Sequence, residues 1–293
     1  MTIQSSLAID HRSQYTIKKN IEFSGIGIHT GQTVSMKFEP APAGTGIVFC
    51  RVDLPGKPMI PATLEYVCDT SRSTTIGIKN IVIHTIEHVM AAIRAFQIDN
   101  LIISIDNVEP PVANGSSDVF VEMIEEAGIV PLKEHKPIIN IKDPIYYSDN
   151  DVHLVAIPHD SYKISYTLNY PDVPALKSQF FSTEINAQTF KKDLAPCRTF
   201  SLYKEVSWLM DKGLIKGGSL SNAVIIHEEA IFSKEGLFFP DEMVRHKMLD
   251  MVGDLSLIGF EFNAHIMAIK AGHPSNFAFA KKILNYITSE TNA

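Results

Sequence analysis

The chain has 293 residues, about twice a typical domain, so two domains are expected. Hydrophobic residues make up 45% and charged residues 20%, an ordinary globular balance with material for a sizeable core. A net charge of −7 without any Lys/Arg run argues against nucleic acid as a partner, and no apolar run approaches the roughly 18 residues needed to span a bilayer.

The opening stretch, MTIQSSLAIDHR, has no basic segment followed by an apolar one, so no signal peptide is expected. Residues 15–51 alternate apolar and polar in three runs, YTIKKNIEF, TVSMKFEP and GIVFCR, separated by GIGIHTG and PAPAGTG, the pattern of antiparallel strands and turns. GIGIHTG lacks the G-x-G-x-x-G spacing and no helix pattern follows it, so it reads as a turn rather than a nucleotide loop. From His84 to Phe96 the period becomes helical: Ile86, Val89, Met90, Ile93 and Phe96 share a stripe, and Ala91, Ala92 and Ala95 add helix propensity. IDNLIISID reads as a buried strand and SSDVFVEMIEEAGI as an amphipathic helix closed by Gly128. The polar, Pro-containing VPLKEHKP (130–137) is the expected boundary between a first domain, 1–131, and a second, 132–293.

Beyond it come three strands (IINIKDPIYY, HLVAIP, YKISYTLNY), a short helix, a variable region, a long helix from Asp241, a strand (NAHIMAIK) and a terminal helix (PSNFAFAKKILNYI). Each half thus runs strands, a helix carrying His and an acid, a strand, then a closing helix. That order predicts an internal repeat of two layered α+β domains whose His-bearing helices can face each other. Cys50, Cys68 and Cys197 are few and scattered, as for reduced thiols, so a cytoplasmic location is expected.

Two clusters carry chemistry. HTIEH (His84, Glu87, His88) matches the H-x-x-E-H pattern of inverted zinc peptidases, where both His bind zinc and Glu activates water. A five-residue pattern also arises by chance, with Glu87 on a solvent face and the His residues filling a helix terminus. The second cluster is His246 and Asp250, four apart on one helical face, with Asp254 one turn on and His273 after the next strand. With one first-half His they make a three-ligand site whose fourth position is open, as in catalytic zinc centres. Glu87 could take a proton from water during attack, and His273, made cationic by nearby Asp254, could protonate a leaving group. Singly, each residue is more often a solvated acid or a satisfied partly buried His. A hydroxyl at Thr199, after Ala195-Pro196-Cys197, could donate to an oxyanion, although a turn is the default reading. Lys247 could pair with a phosphate, and the apolar segment 203–226 could line a channel. A non-catalytic binding protein with structural His and Asp residues is the reading from a different class.

GIGIHTG, PAPAGTGIVF, TIEHVMAAI, APCRTF, KGGSL, VRHKMLDMVGDL and KAGH, in this order, make the chain resemble the zinc-dependent UDP-3-O-acyl-N-acetylglucosamine deacetylases of lipid A synthesis over essentially its whole length. The resemblance implies two α+β sandwich domains, each with an insert, and an active site between them. It implies one Zn2+ per chain held by His88, His246 and Asp250, with Glu87 as general base and His273 as general acid oriented by Asp254. Thr199 would hold the oxyanion, Lys247 would contact the nucleotide-sugar and Phe200 would pack near the sugar. An insert at about 201–232 would pass the acyl chain along Tyr203, Val206, Ile215, Ser219, Ala223 and Ile225. In the family pattern His84 is not a ligand, which makes HTIEH an accidental peptidase match. The implied partner is a UDP-linked acylated amino sugar, and a monomer outside the membrane is expected. Ser221 and Asn114 stand where that pattern usually has Asp.

Overall fold

The computed structural model describes residues 8–291, so the first seven residues of the stretch inspected for a signal peptide lie outside the described residues. In chain order the elements are β1 (Ala8–Ile17), β2 (Ile21–Ile26), β3 (Thr33–Pro40), β4 (Ile47–Arg51), β5 (Met59–Pro61), β6 (Val67–Asp69), β7 (Thr75–Ile78), β8 (Ile81–Ile83), α1 (Glu87–Ala95), β9 (Leu101–Ile105) and α2 (Asp118–Ala127). They continue with β10 (Ile129–Asn140), β11 (Ile145–Asp149), β12 (Val152–Ile157), β13 (Tyr162–Tyr170), β14 (Lys177–Glu184), α3 (Ala187–Thr189), β15 (Phe200–Leu202), α4 (Tyr203–Asp211), β16 (Val224–His227), β17 (Ala230–Phe232), α5 (Glu242–Ser256), β18 (Glu261–Ile269) and α6 (His273–Thr291). The fold is mixed α/β.

A five-stranded sheet runs β2-β3-β9-β4-β5, and a seven-stranded one runs β1-β10-β18-β12-β11 with β13 and β14 joined beside β18. In the first, β9 lies antiparallel to β3 and parallel to β4. In the second, β18 lies antiparallel to β12 and parallel to β13. Each of these strands follows one of the His-bearing helices, so the order β2-β3-β9-β4-β5 recurs as β11-β12-β18-β13-β14. Strict alternation is legible in β3, where Val34, Met36 and Phe38 are buried and their neighbours are not. Two small sheets occupy corresponding places in the chain order: β6-β7-β8 before α1, and β15-β16-β17, with α4, before α5.

Some element bounds differ from the expected ones. YTIKKNIEF is not one strand: it breaks after Ile17, Lys18 N–H donates to the Gly128 carbonyl, and β1 pairs with β10 rather than with the first sheet. The expected boundary segment VPLKEHKP lies inside β10, paired along β1 as a half-exposed strand. The helix expected from His84 starts at Glu87, because Thr85 sits in the left-handed region (φ 56°) and Ile86 N–H turns to the Thr74 carbonyl.

The two His-bearing helices pack face to face. At their crossing a Cβ on Gly253 would stand 2.1 Å from the Glu87 carbonyl oxygen, so only glycine lets α5 lie this close to the start of α1. Beneath them the core joins Ile93 of α1, Ile103 of β9, Leu249 and Val252 of α5 and Phe279 of α6, all at most 1% exposed.

Candidate metal centre and active site

The close approach at Gly253 brings the first turn of α1 onto the middle of α5, and three donors converge there. His88, His246 and Asp250 are all buried, with one ligand atom from each lying within 4.8 Å of the others. His88 Nε2 is 3.5 Å from Asp250 Oδ1, and His246 Nε2 is 3.4 Å from the same oxygen. A tetrahedral zinc with bonds near 2.0–2.1 Å spaces its ligand atoms about 3.3 Å apart, close to both His–Asp separations, so the donor set suits a zinc ion. The other polar atoms of His246 and Asp250 are committed. His246 Nδ1 meets the Cys197 carbonyl at 3.0 Å, which as donor leaves Nε2 its lone pair. Burial drives the His246 pKa down to about 3, keeping it neutral. Lys247 Nζ donates to Asp250 Oδ2 at 2.6 Å. Burial alone would raise the Asp250 carboxyl, but His246 and Lys247 hold it well below the usual carboxylate range.

Glu87 and His273 flank this centre. Glu87, 4% exposed, has its pKa raised by burial, which His273 and His88 only partly oppose. Its Oε2 accepts the Thr74 backbone N–H at 3.0 Å. His273 opens α6, where Pro274 follows in the first turn and its missing N–H costs no helical bond. His273 Nδ1 lies 2.8 Å from Asp254 Oδ2, and Asp254 also accepts from Thr74 Oγ1 at 2.5 Å and Asn276 Nδ2 at 2.8 Å. Burial would lower the His273 pKa, but Asp254, then Glu87, overcome it and bring it to about 9.

Thr199 is presented by a loop held at three points. Its N–H donates to the Gly115 carbonyl, its own carbonyl accepts from Val224, and the preceding Arg198 makes a fully buried ion pair with Glu242 at 2.8 Å. A cavity of about 230 Å³ is lined by the metal-ligand cluster together with Glu87, His273, Thr199, Phe200 and Lys247. A second, of about 510 Å³, begins at the same Glu87, His88 and Thr199 and runs through the second insert along Val206, Ile215, Ser219, Ala223 and Ile225. Of the expected passage residues Tyr203 is not on that wall: the residue is 57% exposed and its ring meets His227 edge-on at 4.7 Å. His84 stands apart, off the helix, with Nδ1 at 3.0 Å from Thr75 Oγ1, so the helical spacing required by the peptidase pattern is not formed.

The sequence model of the UDP-3-O-acyl N-acetylglycosamine deacetylases matches residues 14–285. The chain belongs to this family. It is 50% identical over 273 residues to a UDP-3-O-acyl-N-acetylglucosamine deacetylase of Chlamydia felis, covering 93% of this chain and 97% of that protein. The deacetylase of Chlamydia caviae is 48% identical over 276 residues (94% and 98%), and that of Chlamydia trachomatis serovar L2 43% over 279 residues (95% and 97%).

The relatives' names carry both an N-acetyl and an O-acyl group, and the two cavities adjoin at Glu87, His88 and Thr199. Residues that sequence reasoning did not single out support the site from behind: Thr74, Asn276 and Glu242. No motif marks them, because each acts on a partner at least 22 positions away. The two departures are locally satisfied. Asn114 Oδ1 accepts from both the N–H and the hydroxyl of Ser116, as a carboxylate would, and Ser221 N–H donates to Ser219 Oγ.

Proposed function

We propose that this chain hydrolyses the N-acetyl group of a UDP-3-O-(3-hydroxyacyl)-N-acetylglucosamine, releasing acetate and a free amine, within lipid A biosynthesis. The observation that carries the reading is the continuity of the cavity holding two His, an Asp, a buried Glu and an Asp-paired His with an apolar channel about 510 Å³ in volume. A channel of that size and lining suits an acyl chain, and the polar chamber suits an amide.

His88, His246 and Asp250 would hold one zinc ion, which when bound supplies Lewis acidity that polarises the acetyl carbonyl and acidifies water. Glu87 takes the proton of the attacking water; its raised pKa brings its basicity closer to that task. The Thr199 hydroxyl donates to the oxyanion as the carbonyl carbon becomes tetrahedral. His273, cationic below about pH 9, gives its Nε2 proton to the departing amine nitrogen as the C–N bond breaks, while Asp254 keeps Nδ1 in place. Lys247 faces the same chamber and contacts the nucleotide-sugar portion, with Phe200 against the sugar. Two α+β domains, divided near residues 131–132 and meeting at α1 and α5, account for a site to which both halves contribute. No helix among the described residues is long and apolar enough to cross a membrane, and three free cysteines accord with a cytoplasmic setting.

The test is zinc analysis coupled to acetate release from the UDP-linked substrate. One zinc per chain with turnover is expected; His88→Ala and Asp250→Ala lose both, and Glu87→Ala keeps metal but loses most activity. Full turnover in Glu87→Ala would remove Glu87 as the base.

A further inference from the structure

We propose that Thr74 is the positioning residue that sets the general base and the general acid at a fixed distance from each other. The inference rests on the reading above, in which Glu87 is the base and His273 the acid.

Thr74 lies between β6 and β7, 2% exposed, and binds in three directions. Its carbonyl accepts the Ile86 N–H at 3.2 Å and its own N–H donates to Glu87 Oε2 at 3.0 Å, so its backbone fixes both the entry to α1 and the carboxylate of the base. Its hydroxyl donates to Asp254 Oδ1 at 2.5 Å, 180 positions away, and lies 3.4 Å from His273 Nδ1. A threonine hydroxyl has one proton, and here it goes to Asp254. The other Asp254 oxygen receives His273 Nδ1 and Asn276 Nδ2, so all three donors are needed to hold that carboxylate in one orientation. Asp254 in turn fixes the His273 ring, whose Nε2 points back to the centre, 4.0 Å from Asp250 Oδ2. Glu87 and His273 come from helices 186 residues apart in sequence, and residue 74 is bonded to one and to the other's carboxylate. Proton removal from water and proton delivery to nitrogen both need sub-ångström placement, so a shared support acts on the chemical step rather than on substrate capture.

The backbone bond to Glu87 survives any side-chain change, which isolates the hydroxyl. Thr74→Val keeps the shape and removes the hydroxyl, with its bond to Asp254 and its 3.4 Å contact with His273 Nδ1. Its kcat should fall on the order of 10- to 100-fold, the range for losing an outer partner of an active-site group, with KM and zinc content unchanged. Thr74→Ser, which keeps the hydroxyl, should recover most of that kcat. If Thr74→Val does not fold, the ratio of kcat between Thr74→Ala and Thr74→Ser carries the same comparison. Wild-type kcat in Thr74→Val, an equal loss in the Ser variant, or a change confined to KM would overturn the proposal. Glu87→Gln and His273→Ala run in the same assay separate the layers. If they are inactive and Thr74→Val is not impaired, the positioning role alone fails; if they remain active, the base and acid assignments fail with it.

Discussion

At the residue scale the decisive pairing is His273 with Asp254. A group whose pKa is raised to about 9 is protonated at neutral pH and loses its proton as the pH rises through that value. The pH profile of kcat/KM should therefore show an alkaline limb near pH 9. Asp254→Asn removes the largest influence raising that pKa, so the limb should move to lower pH as well as lower rate. A limb that stays in place in this variant would mean that another group sets it. Glu87 acts in the opposite sense: burial raises its pKa, so the acid limb should lie above the range of an exposed glutamate. The His246–Asp250 spacing was legible in the sequence, and the structure brings His88 beside that pair; spacing alone left open which first-half His would join it, and the family resemblance named His88. The other partners of Asp254, Thr74 and Asn276, were not legible, since a threonine or an asparagine carries no signal until its partner 180 or 22 positions away is placed.

At the element scale the site depends on how closely α1 and α5 approach. Gly253→Ala puts a methyl group against the Glu87 carbonyl, and backbone cannot swing aside as a side-chain tip can. We expect a loss of about 1–3 kcal/mol in stability from overpacking and a larger proportional loss of zinc affinity, read by denaturant unfolding and metal titration of the same variant. Unchanged metal affinity would show that the ligand geometry tolerates a wider crossing. Helical periodicity located α1 but placed its start three residues early. Nothing in HTIEH signals that Thr85 takes a positive φ, because a β-branched residue there is disfavoured by its own backbone sterics and is held by the surroundings. Strand β14 went unread for a different reason: half-exposed along most of its length, KSQFFSTE lacks the clean alternation that made β3 legible.

At the scale of the whole molecule, the element order of the two halves suggests a repeat; β9 lies antiparallel to β3 and parallel to β4, while β18 lies antiparallel to β12 and parallel to β13 and, over three residues, to β10. What order could not reveal is that β1 leaves its own half and joins β10 in the larger sheet. A buried ion cluster secures that crossing: Arg12 of β1 pairs with Asp99 at 2.6 Å and Glu261 of β18 at 2.7 Å, Arg94 of α1 also binds Glu261, and Lys136 of β10 binds Asp99 at 3.1 Å. Burial would raise the Glu261 pKa, but Arg94 and Arg12 outweigh it and bring it to about 2. A folded-state value below the unfolded one gives stability that is complete above about pH 4.3 and is lost as the pH falls toward 2. Urea unfolding should show that loss, and Glu261→Gln should flatten it. Removing one partner, as in Arg94→Ala, leaves a buried carboxylate short of charge and should cost about 3–5 kcal/mol.

The division of the three donors, one on α1 and two on α5, has a thermodynamic consequence as well as a chemical one. An ion gripped by residues 158 to 162 positions apart in sequence binds the folded chain and finds no such set in the unfolded one. Its occupancy is then a term in the folding equilibrium, worth RT ln(1 + [M]/Kd), about 4 kcal/mol when free metal is a thousand times Kd. Chelation should accordingly lower the melting temperature of the whole protein, and restoring zinc should return it along a curve that reports the affinity directly. The candidate centre would in this sense also be a clasp, so that starving the protein of metal should loosen the grip of one helix on the other as well as lower turnover.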